Sequence, residues 1–282
     1  MICVIINSGD DMKDIAKKSN TMYLLDKYKL QASKKFGQNF LVDLNTIKKI
    51  VDSTGIDKET CVIEIGPGIG ALSEQLSYQA GHVECYEIDE RLREVLKESL
   101  GEFENIEIIF QDFLTVDLRS VVEKHRKNYM KVCIVANLPY YITSDILEHI
   151  IESQAQLDSV HAMVQKEVAL KLTDKHYKSP LTLMIESIGN ISLDMNVSKT
   201  VFSPAPHIDS AIISIHIDKS YNPQLTEILK VSFTQKRKTI YNNLKNLFSD
   251  QTREILEKAA IAENKRPEEL TIEDYLTLTQ FL

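Results

Sequence analysis

Four consecutive residues, Asn137-Leu138-Pro139-Tyr140, combine groups that suit a planar amine: an amide oxygen, a main-chain carbonyl, a proline that stiffens the turn, and an aromatic face. An exocyclic amine on a nucleobase has its lone pair delocalised into the ring. Acceptors for its two hydrogens make it more nucleophilic, stacking holds the base flat, and no ionisable general base is needed. Asn-x-Pro is also ordinary turn chemistry closed by a buried tyrosine, so the segment gains meaning from its surroundings.

A second set lies upstream. Glu64-Ile65-Gly66-Pro67-Gly68-Ile69-Gly70 follows an apolar run and precedes a helix-like segment, and glycines at such a turn let the backbone approach a nucleotide-like ligand. Glu87 stands 21 residues after Gly66 in Tyr86-Glu87-Ile88-Asp89, where a carboxylate can accept both hydroxyls of a ribose. Asp112, in Phe110-Gln111-Asp112-Phe113, is placed either to contact the adenine of the same ligand or to cap its own loop. Gly66, Gly68 and Ala71 also satisfy the dinucleotide pattern G-x-G-x-x-A, so these residues suit NAD and S-adenosyl-L-methionine equally.

The elements that must hold these residues are legible as continuous apolar runs: Cys61 to Ile65, His82 to Tyr86, Ile106 to Phe110 and Val132 to Ala136. Ala71 to Tyr78, Glu90 to Leu100 and Leu118 to Lys127 read as the helices between them. That alternation predicts an α/β fold, a parallel sheet with helices on both faces, in which ligands bind outside the carboxyl ends of the strands. Asp158 to Val164, Ile188 to Val197 and Ser210 to Ile217 extend the strands. After Ile217 a polar break leads to Pro223, and Leu225, Ile228 and Leu229, then Ile240, Leu244 and Leu247, recur at helical spacing. The expected division is therefore an extension over residues 1–20 read as disordered, an α/β domain over 21–217, and a small all-helical domain over 218–282.

With 282 residues, 43% hydrophobic and 26% charged, the chain excludes disordered and fibrous classes. No apolar run approaches the roughly 18 residues of a membrane span, and Met1 to Asn7 lacks the basic start and small-residue cleavage site of a secretion signal. Cys3, Cys61, Cys85 and Cys133 are far apart, and the last three sit in strand-like runs. The expectation is a reduced, cytoplasmic protein with no disulfide and no membrane partner. The seven histidines show no ligand spacing, so no metal is expected. Formal charge is −8, yet residues 13–49 carry nine basic and three acidic side chains and residues 230–245 five basic and none acidic. Local basic stripes of this kind bind phosphate backbones even in an acidic chain, although solvated helix faces look the same.

The combination of Glu64-x-Gly66-x-Gly68-x-Gly70 with Asn137-Leu138-Pro139-Tyr140 resembles the rRNA adenine N6,N6-dimethyltransferases of the KsgA/RsmA family. Further stretches agree: Lys34-Lys35-Phe36-Gly37-Gln38-Asn39-Phe40-Leu41, Gln165-Lys166-Glu167-Val168, Phe202-Ser203-Pro204-Ala205-Pro206-His207-Ile208-Asp209-Ser210-Ala211, and Lys236-Arg237-Lys238-Thr239-Ile240-Tyr241-Asn242-Asn243-Leu244. The resemblance runs from about Thr21 to the C-terminus.

It implies a Rossmann-like methyltransferase sheet in which Asn39, Leu41, Gly66, Gly68, Glu87, Asp112 and Asn137 line a site for S-adenosyl-L-methionine. Asn137 and the Leu138 carbonyl would hold the target amine, with Pro139 fixing the turn. Tyr140 would stack on a flipped adenine and Phe202 would cover its other face. Lys34, Lys35, Lys236, Arg237 and Lys238 would grip rRNA phosphates. The implied substrate is small-subunit (16S) rRNA, two adjacent adenines near its 3′ end, in an immature ribosomal subunit acted on by a monomer. The competing readings are a large-subunit (23S) rRNA methyltransferase conferring macrolide resistance and a non-catalytic ribosome assembly factor. The chain departs from the family pattern between Lys171 and Leu183, where the segment is short, and at Asp145, where many members have proline.

Overall fold

A computed structural model describes residues 14–33 and 37–282. Its strands are β1 (Phe40–Leu41), β2 (Thr60–Ile65), β3 (His82–Glu87), β4 (Ile106–Phe110), β5 (Lys131–Asn137), β6 (Ser159–Gln165), β7 (Gly189–Val197), β8 (Phe202–Ser203) and β9 (Ser210–Ile217). The helices before and between the main strands are α1 (Lys18–Lys27), α2 (Leu44–Thr54), α3 (Ala71–Gln79), α4 (Arg93–Leu100), α5 (Leu118–His125), α6 (Thr143–Glu152), α7 (Lys166–Thr173) and α8 (Pro180–Ile188). Four more close the chain: α9 (Pro223–Ser232), α10 (Ile240–Phe248), α11 (Thr252–Lys258) and α12 (Ile272–Leu278).

Seven strands form one sheet in the order β4-β3-β2-β5-β6-β9-β7, and β1 pairs separately with β8. The first five are parallel, as the apolar runs predict, because helices cover both faces of them. The expectation of a parallel sheet fails at the far end: β9 runs antiparallel to both β6 and β7. Run length says nothing of direction. β7 does alternate between half-buried and exposed residues, the pattern of an edge strand with one wet face.

Alternate residues of the strands feed two apolar layers. Val62, Val83 and Val135 pack with α1 to α4 on one face, and Ile63, Ile134 and Val160 pack with α5, α6 and α8 on the other. The expected boundary after residue 217 falls between β9 and α9. The apolar core nonetheless runs through it, since Tyr221, Leu225 and Ile228 belong to the same cluster as Ile146 and Leu183.

A disordered extension over residues 1–20 is too long. Ile15 and Ala16 are fully buried, the main-chain N–H groups of Asp14 and Ile15 each donate to the Glu74 carboxylate at 2.8 Å, and α1 begins at Lys18. The rest of that segment lies outside the described residues. Sequence pattern misses α1 because it buries only Thr21 and Leu24, too sparse a stripe to read as periodic.

Candidate functional site

From β2 the chain winds outward through β3 and β4, then returns to β5 on the other side of β2. At such a switch the loops leaving two neighbouring strands diverge and open a crevice. Here it is a cleft of about 1130 Å³, its open mouth included. Asn39, Leu41, Gly66, Gly68, Glu87, Asp112, Asn137, Leu138, Pro139 and Tyr140, which sequence places on five separate segments, all line it.

The turn after β2 is left-handed at three positions, with φ of 69° at Gly66, 62° at Gly68 and 94° at Gly70. A side chain at Gly70 would press into Leu100, its Cβ only 2.8 Å from Cγ, whereas at Gly66 a Cβ would meet nothing within 4 Å. The turn is thus packed at its base, and its bare backbone faces the cleft.

Glu87 ends β3 as a nearly fully buried carboxylate. One oxygen accepts the Asp89 N–H at 2.8 Å and the other the Gly68 N–H at 3.1 Å, so each keeps a lone pair for a further donor. Burial, with the Asp89 charge adding to it, outweighs these bonds and raises the Glu87 carboxyl to about 7. Glu64, at the end of β2 in the same cleft, is also raised to about 7, chiefly by burial. Asp112 accepts the Leu114 N–H at 3.0 Å through one oxygen, so it caps its loop and still presents the other oxygen to the cleft. The loop-capping reading holds, and the same residue lines the cleft.

The other end of the cleft is built by the segment leaving β5. Asn137 donates through Nδ2 to the Asn39 carbonyl at 3.4 Å, which assigns its amide oxygen as the free acceptor. Asn39 is fixed in turn, its own Nδ2 donating to the Gly37 carbonyl at 3.1 Å. The Leu138 N–H donates to the Met163 carbonyl at 3.2 Å, and the bonds of the next turn go to the Pro139 carbonyl, so neither uses the Leu138 oxygen. The Tyr140 hydroxyl is 2.6 Å from the Ser210 Oγ, which pins the ring, and burial raises its phenol so that it stays neutral.

Phe202 is not brought to this cleft. Expected over the substrate base, it is instead buried at 4% exposure on β8, paired with Leu41, and is not among the residues that line the cleft. Its β-bridge anchors the wall that carries Leu41. Lys34 and Lys35 lie outside the described residues. Lys236, Arg237 and Lys238 are all exposed on the turn between α9 and α10.

A family model described as Ribosomal RNA adenine dimethylase matches residues 29–282. The chain belongs to that family. It is 40% identical over 278 residues to the Ribosomal RNA small subunit methyltransferase A of Oceanobacillus iheyensis, covering 93% of this chain and 94% of the relative. Among solved structures it is similar to the 23S rRNA methyltransferase ErmE, with TM-score 0.63 and 27% identity over 86% of this chain and 98% of that one. A dimethyladenosine transferase from Plasmodium falciparum shares the fold, with TM-score 0.67 and 21% identity over 84% of this chain and 94% of that one.

Several residues that position the site of this dimethylase go unsingled by spacing alone. Gln38 accepts the Ser33 N–H and donates to Asp89, both at 2.8 Å, and so ties the wall bearing Asn39 to the loop after Glu87. Phe40 packs its ring against Gly68, and Ser210 fixes Tyr140. All three stand inside motifs that the sequence displays, and only the fold shows which neighbour each one serves.

Proposed function

We propose that this dimethylase transfers methyl groups from S-adenosyl-L-methionine to N6 of two adjacent adenines near the 3′ end of small-subunit (16S) rRNA, in an immature ribosomal subunit. The observation that carries the reading is the acceptor pair at the cleft mouth: an Asn137 amide oriented by the Asn39 carbonyl, next to the Leu138 carbonyl and the pinned Tyr140 ring. The 40% identity to a small-subunit methyltransferase along nearly the whole chain supports that subunit as substrate over the large one.

The residues present fit the cofactor. Glu87 has two carboxylate lone pairs left for the ribose hydroxyls, Asp112 has one oxygen left for the exocyclic amine of an adenine, and the Gly66 backbone fronts open space. When bound, the cofactor supplies a methyl group on a sulfonium centre. Asn137 and Leu138 accept the two hydrogens of the target amine and aim its nitrogen into the cleft. Tyr140 stacks on the base, which must leave its helix to reach this depth. Neither acceptor is ionisable, so the rate rests on proximity and orientation rather than on proton abstraction. The exposed turn of Lys236, Arg237 and Lys238 grips rRNA phosphates by charge and shape, and the protein acts as a cytoplasmic monomer.

Nucleoside mass spectrometry after reaction with immature small subunits is expected to show N6,N6-dimethyladenosine, mapped to two neighbouring positions. Methylation at another base atom, or none with cofactor binding intact, contradicts the reading.

A further inference from the structure

Towards the amino ends of β3 and β4, a second polar cluster lies against α5. His82 and Glu84 are two apart on β3 and project from one face. Glu107 stands opposite Glu84 in the β3–β4 register, and the last turn of α5 delivers His125. Ligand atoms of His82, Glu84 and His125 all lie within 4.8 Å of one another. Spacing along the chain could not show this, because the two histidines come from different elements.

We propose that His82, Glu84 and His125 form a binding site for a divalent transition-metal ion of the zinc class, with Glu107 as the fourth ligand. Two imidazoles and carboxylate oxygen are a donor set that zinc favours, and two carboxylates balance its charge. His125 Nε2 is 2.8 Å from Glu84 Oε2, the two imidazole centroids are 5.3 Å apart, and Glu107 Oε2 is 3.9 Å from His82 Nε2. Supporting contacts orient the ligands in the way metal sites require. The Tyr86 hydroxyl donates to Glu84 Oε1 at 2.5 Å and leaves Oε2 to ligate, and Tyr129 stacks on His82 at 16° between planes.

A cation already occupies the gap between the carboxylates: Lys124 Nζ is 3.0 Å from Glu84 and 3.8 Å from Glu107. That side chain is 60% exposed and can swing into solvent when a divalent ion takes its place. The bound ion braces α5 against the sheet.

The test is a titration of Zn²⁺ against a chromophoric chelator, on the full chain carrying Cys3→Ser so that this thiol does not compete. One equivalent is expected to bind, more than about tenfold weaker in His82→Ala and in His125→Ala. Lys124→Ala, which removes the competing ammonium, is expected to bind more tightly than the parent. Circular dichroism checks folding, and if His125→Ala fails to fold, the other two variants decide. No stoichiometric binding, unchanged affinity in His82→Ala, or no gain in Lys124→Ala overturns the proposal.

Discussion

At the residue scale the proposed mechanism gives Asn137 and Glu87 opposite kinds of work, and they are expected to fail differently when changed. The Asn137 amide is neutral and already oriented by Asn39, so its contribution belongs to the moment when charge develops on the target nitrogen. Asn137→Ala is expected to lower single-turnover methyl transfer by about 10²–10³-fold while cofactor affinity changes little. Undiminished turnover removes Asn137 from the mechanism. Glu87, proposed to hold the cofactor ribose, carries a pH signature. Its carboxyl, raised to about 7, holds its proton below that pH, and ribose hydroxyls donate to the ionised form. Cofactor affinity therefore rises with pH from about 6 to about 7.5, below the range where an α-amino group titrates. Calorimetric titration of Glu87→Gln should show a shallower rise, the remainder belonging to Glu64, the second carboxyl raised to about 7. Wild-type affinity that is flat or falling over this interval contradicts the assignment.

At the scale of elements, the Asn243 side chain shows how a helix serves a loop it does not contain. Asn243 is buried in α10, accepts the Gln235 N–H at 3.0 Å, and donates to the Gln235 and Thr239 carbonyls, each at 3.2 Å. It thereby clamps both ends of the turn that carries Lys236, Arg237 and Lys238. Asn243→Ala removes these part-buried bonds and is expected to cost about 0.5–1.5 kcal/mol in urea denaturation, with weaker RNA binding. Retention of full stability would show that the clamp is dispensable. Asn243 is visible in sequence only as part of the stretch from Lys236 to Leu244, whereas the glycine turn, Glu87 and Asn137 announce themselves by following continuous apolar runs. β1 and β8, each two residues long, have no pattern to read, so the pairing that buries Phe202 against Leu41 is legible only in the fold. The direction of β9 escaped for a different reason: a strand buried on both faces looks the same whichever way it runs.

At the scale of the whole molecule, the cleft and the exposed basic turn share one of the two apolar layers. The cleft lies at the carboxyl ends of β2 and β5, and the exposed basic turn lies among the C-terminal helices that pack onto the same apolar layer. A chain of net charge −8 is repelled by RNA at long range, so binding must come from such local patches. Replacing Lys236, Arg237 and Lys238 together by alanine is expected to weaken rRNA binding and to flatten the slope of log affinity against log salt by about 2. An unchanged slope places the phosphate contacts elsewhere.

The most direct test of the central claim, that this cleft methylates adenines of the small subunit, is methyl transfer from tritiated S-adenosyl-L-methionine to two substrates in parallel. One is immature small subunits lacking dimethyladenosine, the other unmethylated large subunits. The account predicts label in the small subunit alone, on two adjacent adenines. Label in the large subunit, or in neither while cofactor still binds, contradicts it.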